Sequence, residues 1–266
     1  MIARAGAPET GLRLTPRATV LLLALALAGC RTPGPPAEPL AIDGPVVAER
    51  LAELRALADR RHGLRAQARV SLEGARGASF ARHLLLLERP ARLRLEILGL
   101  MGQRVAVLAS DGTAYDLYRA ETGQVESGPV HPGLLGEVAG VPLAPGDLVT
   151  LLLGIPPRGL PEPTFATRGS DGRLALEWRF EDGAAQTALL DASGHLVALR
   201  LADAAGIEQV AAGYGDHAGP EDFAETVRLS FGPSGLRAEV AFAGVELDPD
   251  LAPGLFRLQL VSSPGG

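Results

Sequence analysis

The chain has 266 residues, a formal net charge of −6 and a mean hydropathy of +0.16, with 47% apolar but only 4% aromatic residues. An acidic balance excludes a general phosphate-backbone binder, because nucleic-acid binding needs clustered positive charge. A single cysteine excludes an internal disulfide scaffold. All 25 basic residues are arginine and there is no asparagine, a bias that belongs to overall composition rather than to a basic site.

The N-terminus has the parts of a secretory signal. Arg4, Arg13 and Arg17 form a basic region, Ala18–Ala28 an apolar stretch, and Leu27-Ala28-Gly29-Cys30 follows. The apolar run is about half the ~20 residues a spanning helix needs. Small residues before a lone cysteine have the form of a lipobox, where cleavage frees a cysteine for acylation. The expectation is a signal peptide over 1–29 and lipidation at Cys30. Removing it leaves 22 arginines against 30 acids, a formal charge of −8.

Residues 31–39 contain four prolines and favour an extended tether. The tether is assigned to 30–45, the folded domain to 46–263, with packed structure starting near Pro45. From Val46 to His62 the spacing of Val47, Leu51, Leu54 and Ala58 predicts one amphipathic helix, with Arg60 and Arg61 off its apolar stripe.

Alternation then takes over. Leu64–Leu72, Phe80–Glu88, Leu93–Ile97, Val105–Ala109 and Tyr115–Arg119 read as strands, with Asp111-Gly112 a hairpin turn. Pro132–Ala139 and Pro145–Leu153 read as short helices, the second stopped by Gly154 and Pro156-Pro157. Six further strands follow: Leu174–Phe180, Ala185–Asp191, His195–Leu201, Ile207–Tyr214, Thr226–Phe231 and Leu236–Phe242. Leu255–Val261 is a candidate for one more. The fold class expected is mainly β with short helices: an antiparallel, strongly curved sheet of about 11 strands. A sheet that wide must curl or split, and the helices are placed to cover its concave face.

Catalytic patterns are weak. Asp191, Ser193 and His195 have triad composition but flank one turn, whereas triads are assembled from distant segments. Asp216-His217 with Glu221 and Asp222 is a candidate cation cluster without a recognised ligand spacing. His83 alternates with leucines, as a structural sheet histidine does. No nucleophile elbow, phosphate loop or dinucleotide fingerprint occurs. The expectation is no enzyme, no metal and no cofactor.

Three local features carry a family likeness. Leu98-Gly99-Leu100-Met101-Gly102 links two strands; Gly140-Val141-Pro142-Leu143 precedes a short helix; that helix ends Leu151-Leu152-Leu153-Gly154-Ile155-Pro156. With the order helix, strands, helical insertion, strands, the chain resembles LolB, the outer-membrane receptor for lipoproteins. Where that family has a loop leucine this chain has Met101, preceded by Leu100 rather than proline.

The resemblance implies a half-open β-barrel with an apolar cavity under its helices. It implies a lipid-anchored, periplasm-facing outer-membrane protein. Such a protein receives acylated lipoprotein cargo from a LolA-like periplasmic carrier and inserts it into the membrane. Leu100 and Met101 would form the membrane-insertion loop. Val70, Leu72, Leu93, Leu95, Ile97, Val105, Val107, Leu148, Leu151, Leu152 and Trp178 would line the cavity. The partners implied are cargo, carrier and membrane lipid, and no nucleic acid. The alternative is the same fold holding another apolar ligand or envelope partner without insertion. A third reading, a hydrolase, rests on Ser193.

Overall fold

The computed structural model describes residues 37–75 and 77–258, so the expectations for 1–29 and Cys30 lie outside the described residues. Fourteen strands form one antiparallel sheet. They are β1 (Glu38–Pro39), β2 (Gly63–Gly74), β3 (Gly77–Glu88), β4 (Arg92–Leu98), β5 (Arg104–Ser110), β6 (Ala114–Arg119) and β7 (Gln124–Pro129). The second half supplies β8 (Phe165–Arg168), β9 (Leu174–Arg179), β10 (Ala185–Leu190), β11 (Leu196–Ala202), β12 (Glu208–His217), β13 (Ala224–Ser230) and β14 (Arg237–Leu247). The helices are α1 (Pro45–Arg60), α2 (Leu134–Ala139) and α3 (Pro145–Leu152).

The spatial order is β1-β8-β9-β10-β11-β12-β13-β14-β2-β3-β4-β5-β6-β7. The two halves are each a meander, joined where β14 pairs with β2, Val240 opposite Val70. The free edges, β1 and β7, do not pair, so the sheet is open, and it is not strongly curled as the half-open barrel expectation required. Eleven strands match those expected; β1, β7 and β8 are additional. β1 pairs Glu38 with Arg168, so the sheet takes in residues ahead of Pro45. Short segments such as Phe165–Arg168 have too few residues for alternation to register. Leu255 lies in a 3-10 turn, Pro253–Phe256, instead of a strand, as far as the described residues reach.

The helices form where the sequence punctuates them. α1 and α3 begin with proline, whose missing N–H costs nothing in the first turn. After α3 the chain reverses at Gly154, at φ +70°, with the Ile155 N–H on the Thr150 carbonyl and the Gly154 N–H on that of Leu151. α1 buries Val47, Leu51 and Leu54; α3 buries Leu148, Val149, Leu151 and Leu152. They meet one face of the sheet, where Leu64, Leu87, Leu93, Leu176, Leu190 and Leu199 are buried in a single apolar core.

A smaller cluster lies on the other face. The register puts Val107 opposite Glu96 and Ala109 opposite Arg94, away from Leu93 and Leu95. Val107, Ala109 and Phe256 are all buried. The segment Leu255–Arg257 is fastened here by Arg94 Nη1 donating to the Leu255 carbonyl (2.9 Å) and by Arg257 on Asp116 (2.8 Å). Among the described residues no helix is long and apolar enough to cross a membrane.

Candidate functional site: an apolar loop at one end of the sheet and a pocket at the other

Antiparallel pairing gives the sheet two ends. The β2–β3 and β4–β5 turns lie at one; the end of α1 and the β10–β11 and β12–β13 turns lie at the other.

The β4–β5 turn carries Leu100 and Met101, which are 96% and 91% exposed. Its base is held by Gly99 N–H on the Gln103 carbonyl (2.8 Å) and Gly102 N–H on the Gly99 carbonyl (3.0 Å). The Met101 N–H donates to Gln103 Oε1 (3.1 Å). Gly102 sits at φ +81°, where a side chain is strained. Arg82, on neighbouring β3, donates from Nη2 to the carbonyls of Gly99 and Leu100, both at 3.3 Å. Two backbone bonds and the side chains of Gln103 and Arg82 thus hold the turn while two apolar side chains point to solvent. Phe80, two residues from Arg82 on the same face of β3, is 80% exposed, and Val105 at the start of β5 is 42% exposed. Large apolar groups gathered at an exposed tip mark contact with lipid or a partner.

The sequence-derived cavity residues divide. Val70, Leu72, Leu93, Leu95 and Ile97 lie on the helix-covered face, as Leu93 opposite Leu87 and Leu95 opposite Leu85 require. Leu148, Leu151 and Leu152 reach the same core from α3, and Trp178 from β9, its Nε1–H on the Pro161 carbonyl (2.9 Å). Val107 does not: it is on the opposite face, beneath the Pro253–Phe256 turn. Val105 falls at an irregularity, since Ile97 pairs Ala106 but Leu98 pairs Arg104. Parity read from Val105-Val107-Ala109 therefore chose the wrong face, because both faces of β5 are covered and both alternate sets are apolar. Side chains of α1 and α3 pack directly on the covered face, with Leu51, Leu151 and Leu153 buried.

The pocket at the other end has a volume of about 270 Å³ and lies between the end of α1, Gly154 and the two turns. Here Asp191 Oδ1 accepts the N–H groups of Ser193 (2.9 Å) and His195 (3.0 Å), which fixes the turn. The Asp191–Ser193–His195 grouping is thereby a turn device. His195 stacks on His217, ring centroids 4.8 Å apart. His217 Nδ1 lies 3.1 Å from the Asp222 carbonyl oxygen. Asp216, Glu221 and Asp222 all have left-handed backbone, with φ from 52° to 56°. No group of three or more His, Cys, Asp or Glu among the described residues can hold a metal ion.

Arg61 is the buried charge of this region, 5% exposed. Its Nη1 donates to the Leu153 carbonyl (2.9 Å), and its guanidinium lies 5.2 Å from the centre of the Phe223 ring. Burial lowers its pKa against the pull of Glu221 and Asp248. Beside it the Tyr214 hydroxyl donates to the Leu151 carbonyl (2.9 Å), and burial pushes that phenol far up. Periodicity assigned Arg61 to the polar side of the helix. No local signal marks its burial, which comes from distant segments closing over it. His83, on β3, lies opposite Ala68 and Ile97; burial lowers its pKa.

No family profile matches this chain, and no curated protein matches it in sequence. Solved structures do match in fold. A domain named for outer-membrane lipoprotein sorting, from Vibrio parahaemolyticus, superposes with a TM-score of 0.54 and 15% identity, over 78% of this chain and 94% of that one. A LolA superfamily protein from Nitrosomonas europaea gives 0.54 and 12% identity, covering 77% and 96%. A DUF1329 family protein from Desulfovibrio piger gives 0.54 and 9% identity, covering 78% and 94%.

Proposed function

With the LolA-superfamily fold as its scaffold, we propose that this chain is a receptor of the LolB kind. It takes acylated lipoproteins from a LolA-like periplasmic carrier and inserts them into the outer membrane, to which Cys30 anchors it through the tether. The observation that carries this reading is the loop: Leu100 and Met101, almost wholly exposed on a turn held by backbone bonds and the side chains of Gln103 and Arg82. Full burial of such side chains is worth about 1.5–3 kcal/mol each. Two of them, with Phe80 behind, give the sheet end a weak but real affinity for the acyl region.

Acyl chains cannot cross water unshielded at about 0.8 kcal/mol per methylene. The covered face supplies the shield. It is lined by Val70, Leu72, Leu93, Leu95 and Ile97 under the α3 leucines, which must move aside to admit cargo. Aliphatic walls without specific hydrogen bonds suit a cargo whose protein part varies.

The experiment is a transfer assay from a loaded carrier to the protein and on to vesicles. Replacing Leu100 and Met101 together with glutamate is expected to leave cargo acceptance intact and to block release into the bilayer. Normal release by that double variant overturns the assignment of the loop. Recovery of free lipid instead of acylated protein from the Cys30→Ala form favours the alternative, an apolar-ligand binder without insertion.

A further inference from the structure

We infer that the pocket beside the end of α1 is a binding site for a single-tailed carboxylate, an anionic amphiphile of the fatty-acid class. This inference stands apart from the receptor reading, since the loop lies at the opposite end of the sheet.

Two buried side-chain atoms among the described residues have no hydrogen-bond partner, Arg61 Nε and His217 Nε2, and both residues line this one pocket. An arginine cannot shed its charge, and a buried ion without a counter-charge is costly. Yet among the described residues no carboxylate lies within ion-pair distance of Arg61, and its single hydrogen-bond partner is the Leu153 carbonyl. The geometry calls for an anion brought from outside.

The rest of the lining sets the kind of anion. The Nδ1 of His217 lies 3.1 Å from the Asp222 carbonyl oxygen, and Nε2 is the ring nitrogen left without a partner. A carboxylate oxygen accepts from Arg61 Nε–H and supplies the missing counter-charge. The wall opposite is aliphatic, formed by Leu54, Leu57, Leu152, Leu196 and Val227. A volume of about 270 Å³ is at the lower limit for small-molecule pockets and suits one chain of medium length. Glu221 and Asp222 at the rim repel a second negative charge, so a monoanion is favoured over a phosphate monoester.

The test is calorimetric titration of the full chain carrying Cys30→Ala with decanoate, decanol and decyl phosphate at neutral pH. Decanoate is expected to bind at least tenfold more tightly than either of the others. Arg61→Met is expected to reduce decanoate to the affinity of decanol. Should that variant not fold, Glu221→Gln serves in its place, because removing the rim charge is expected to tighten decanoate binding severalfold. Equal affinity for decanoate and decanol, tighter binding of decyl phosphate, or unchanged discrimination in either variant overturns the proposal.

Discussion

Arg257 grips both oxygens of Asp116 across 141 residues of sequence, Nε to Oδ2 at 2.8 Å and Nη2 to Oδ1 at 3.1 Å. Asp116 is buried, and burial alone would raise its pKa. The Arg257 fork, the Ser127 hydroxyl and the Leu258 N–H overcome that and hold it at about 2. The pair fastens the Pro253–Phe256 turn over Val107 and Ala109, so a surface arginine closes the second small core.

Acid should therefore loosen this seam. The folded pKa lies below the unfolded one, so the contribution is complete above the unfolded value and is lost as pH falls from about 5 towards 2. Its size is on the order of 2 kcal/mol. Urea midpoints measured across that range should fall more steeply for the parent than for Asp116→Asn. Parallel curves would show that Asp116 has no part in acid sensitivity.

The loop should be separable from stability. Leu100→Ser with Met101→Ser removes side chains that touch little of the protein, so unfolding free energy is expected to change by under about 0.5 kcal/mol. Partition into phospholipid vesicles is expected to weaken on the order of a hundredfold, the equivalent of about 3 kcal/mol. Sedimentation with vesicles checks this.

Arg82 should set how stiff that loop is. Arg82→Gln removes the donor to the Gly99 and Leu100 carbonyls, and the exchange rate of the Gly102 and Met101 amides is expected to rise while β2 and β14 amides stay protected. Amide exchange by NMR reads the difference. Equal protection in both proteins would mean that the backbone bonds of the turn suffice.

The two faces of the sheet at β4 and β5 give a sharp test of placement. Leu93→Ala, in the main core, is expected to cost about 2–5 kcal/mol. Val107→Ala, beneath the Pro253–Phe256 turn, is expected to cost about 1–3 kcal/mol. It should be almost silent when Arg257 is already replaced, because both act on one seam. Val105→Ala, at an exposed irregularity, is expected to change stability by under about 0.5 kcal/mol. Denaturant unfolding of the single and double variants decides among these.

Much of this protein is written locally. Strict alternation in Leu64–Leu72 and Leu93–Ile97 fixed both strand and face, since one face meets the core and the other meets water. The proline starts of α1 and α3 and the stop at Gly154 were equally plain. The loop tip is marked by the family resemblance that Leu98-Gly99-Leu100-Met101-Gly102 carries, and by no local period. Strands such as Phe165–Arg168 are too short to carry a period. Glu38–Pro39 becomes a strand only because β8 offers it an edge.

What needed the tertiary structure has a common cause. Alternation and punctuation along the sequence determined a mainly β chain and its helices, all properties of neighbours along the chain. The face of Val107, the open sheet and the burial of Arg61 depend on which distant segments arrive: the 3-10 turn at Pro253–Phe256, the β14–β2 pairing, the turn at Glu221–Asp222. Local periodicity reports that a residue is apolar or charged. Only packing between segments far apart in sequence decides what covers it, and so whether a charge such as Arg61 ends in water or inside a pocket.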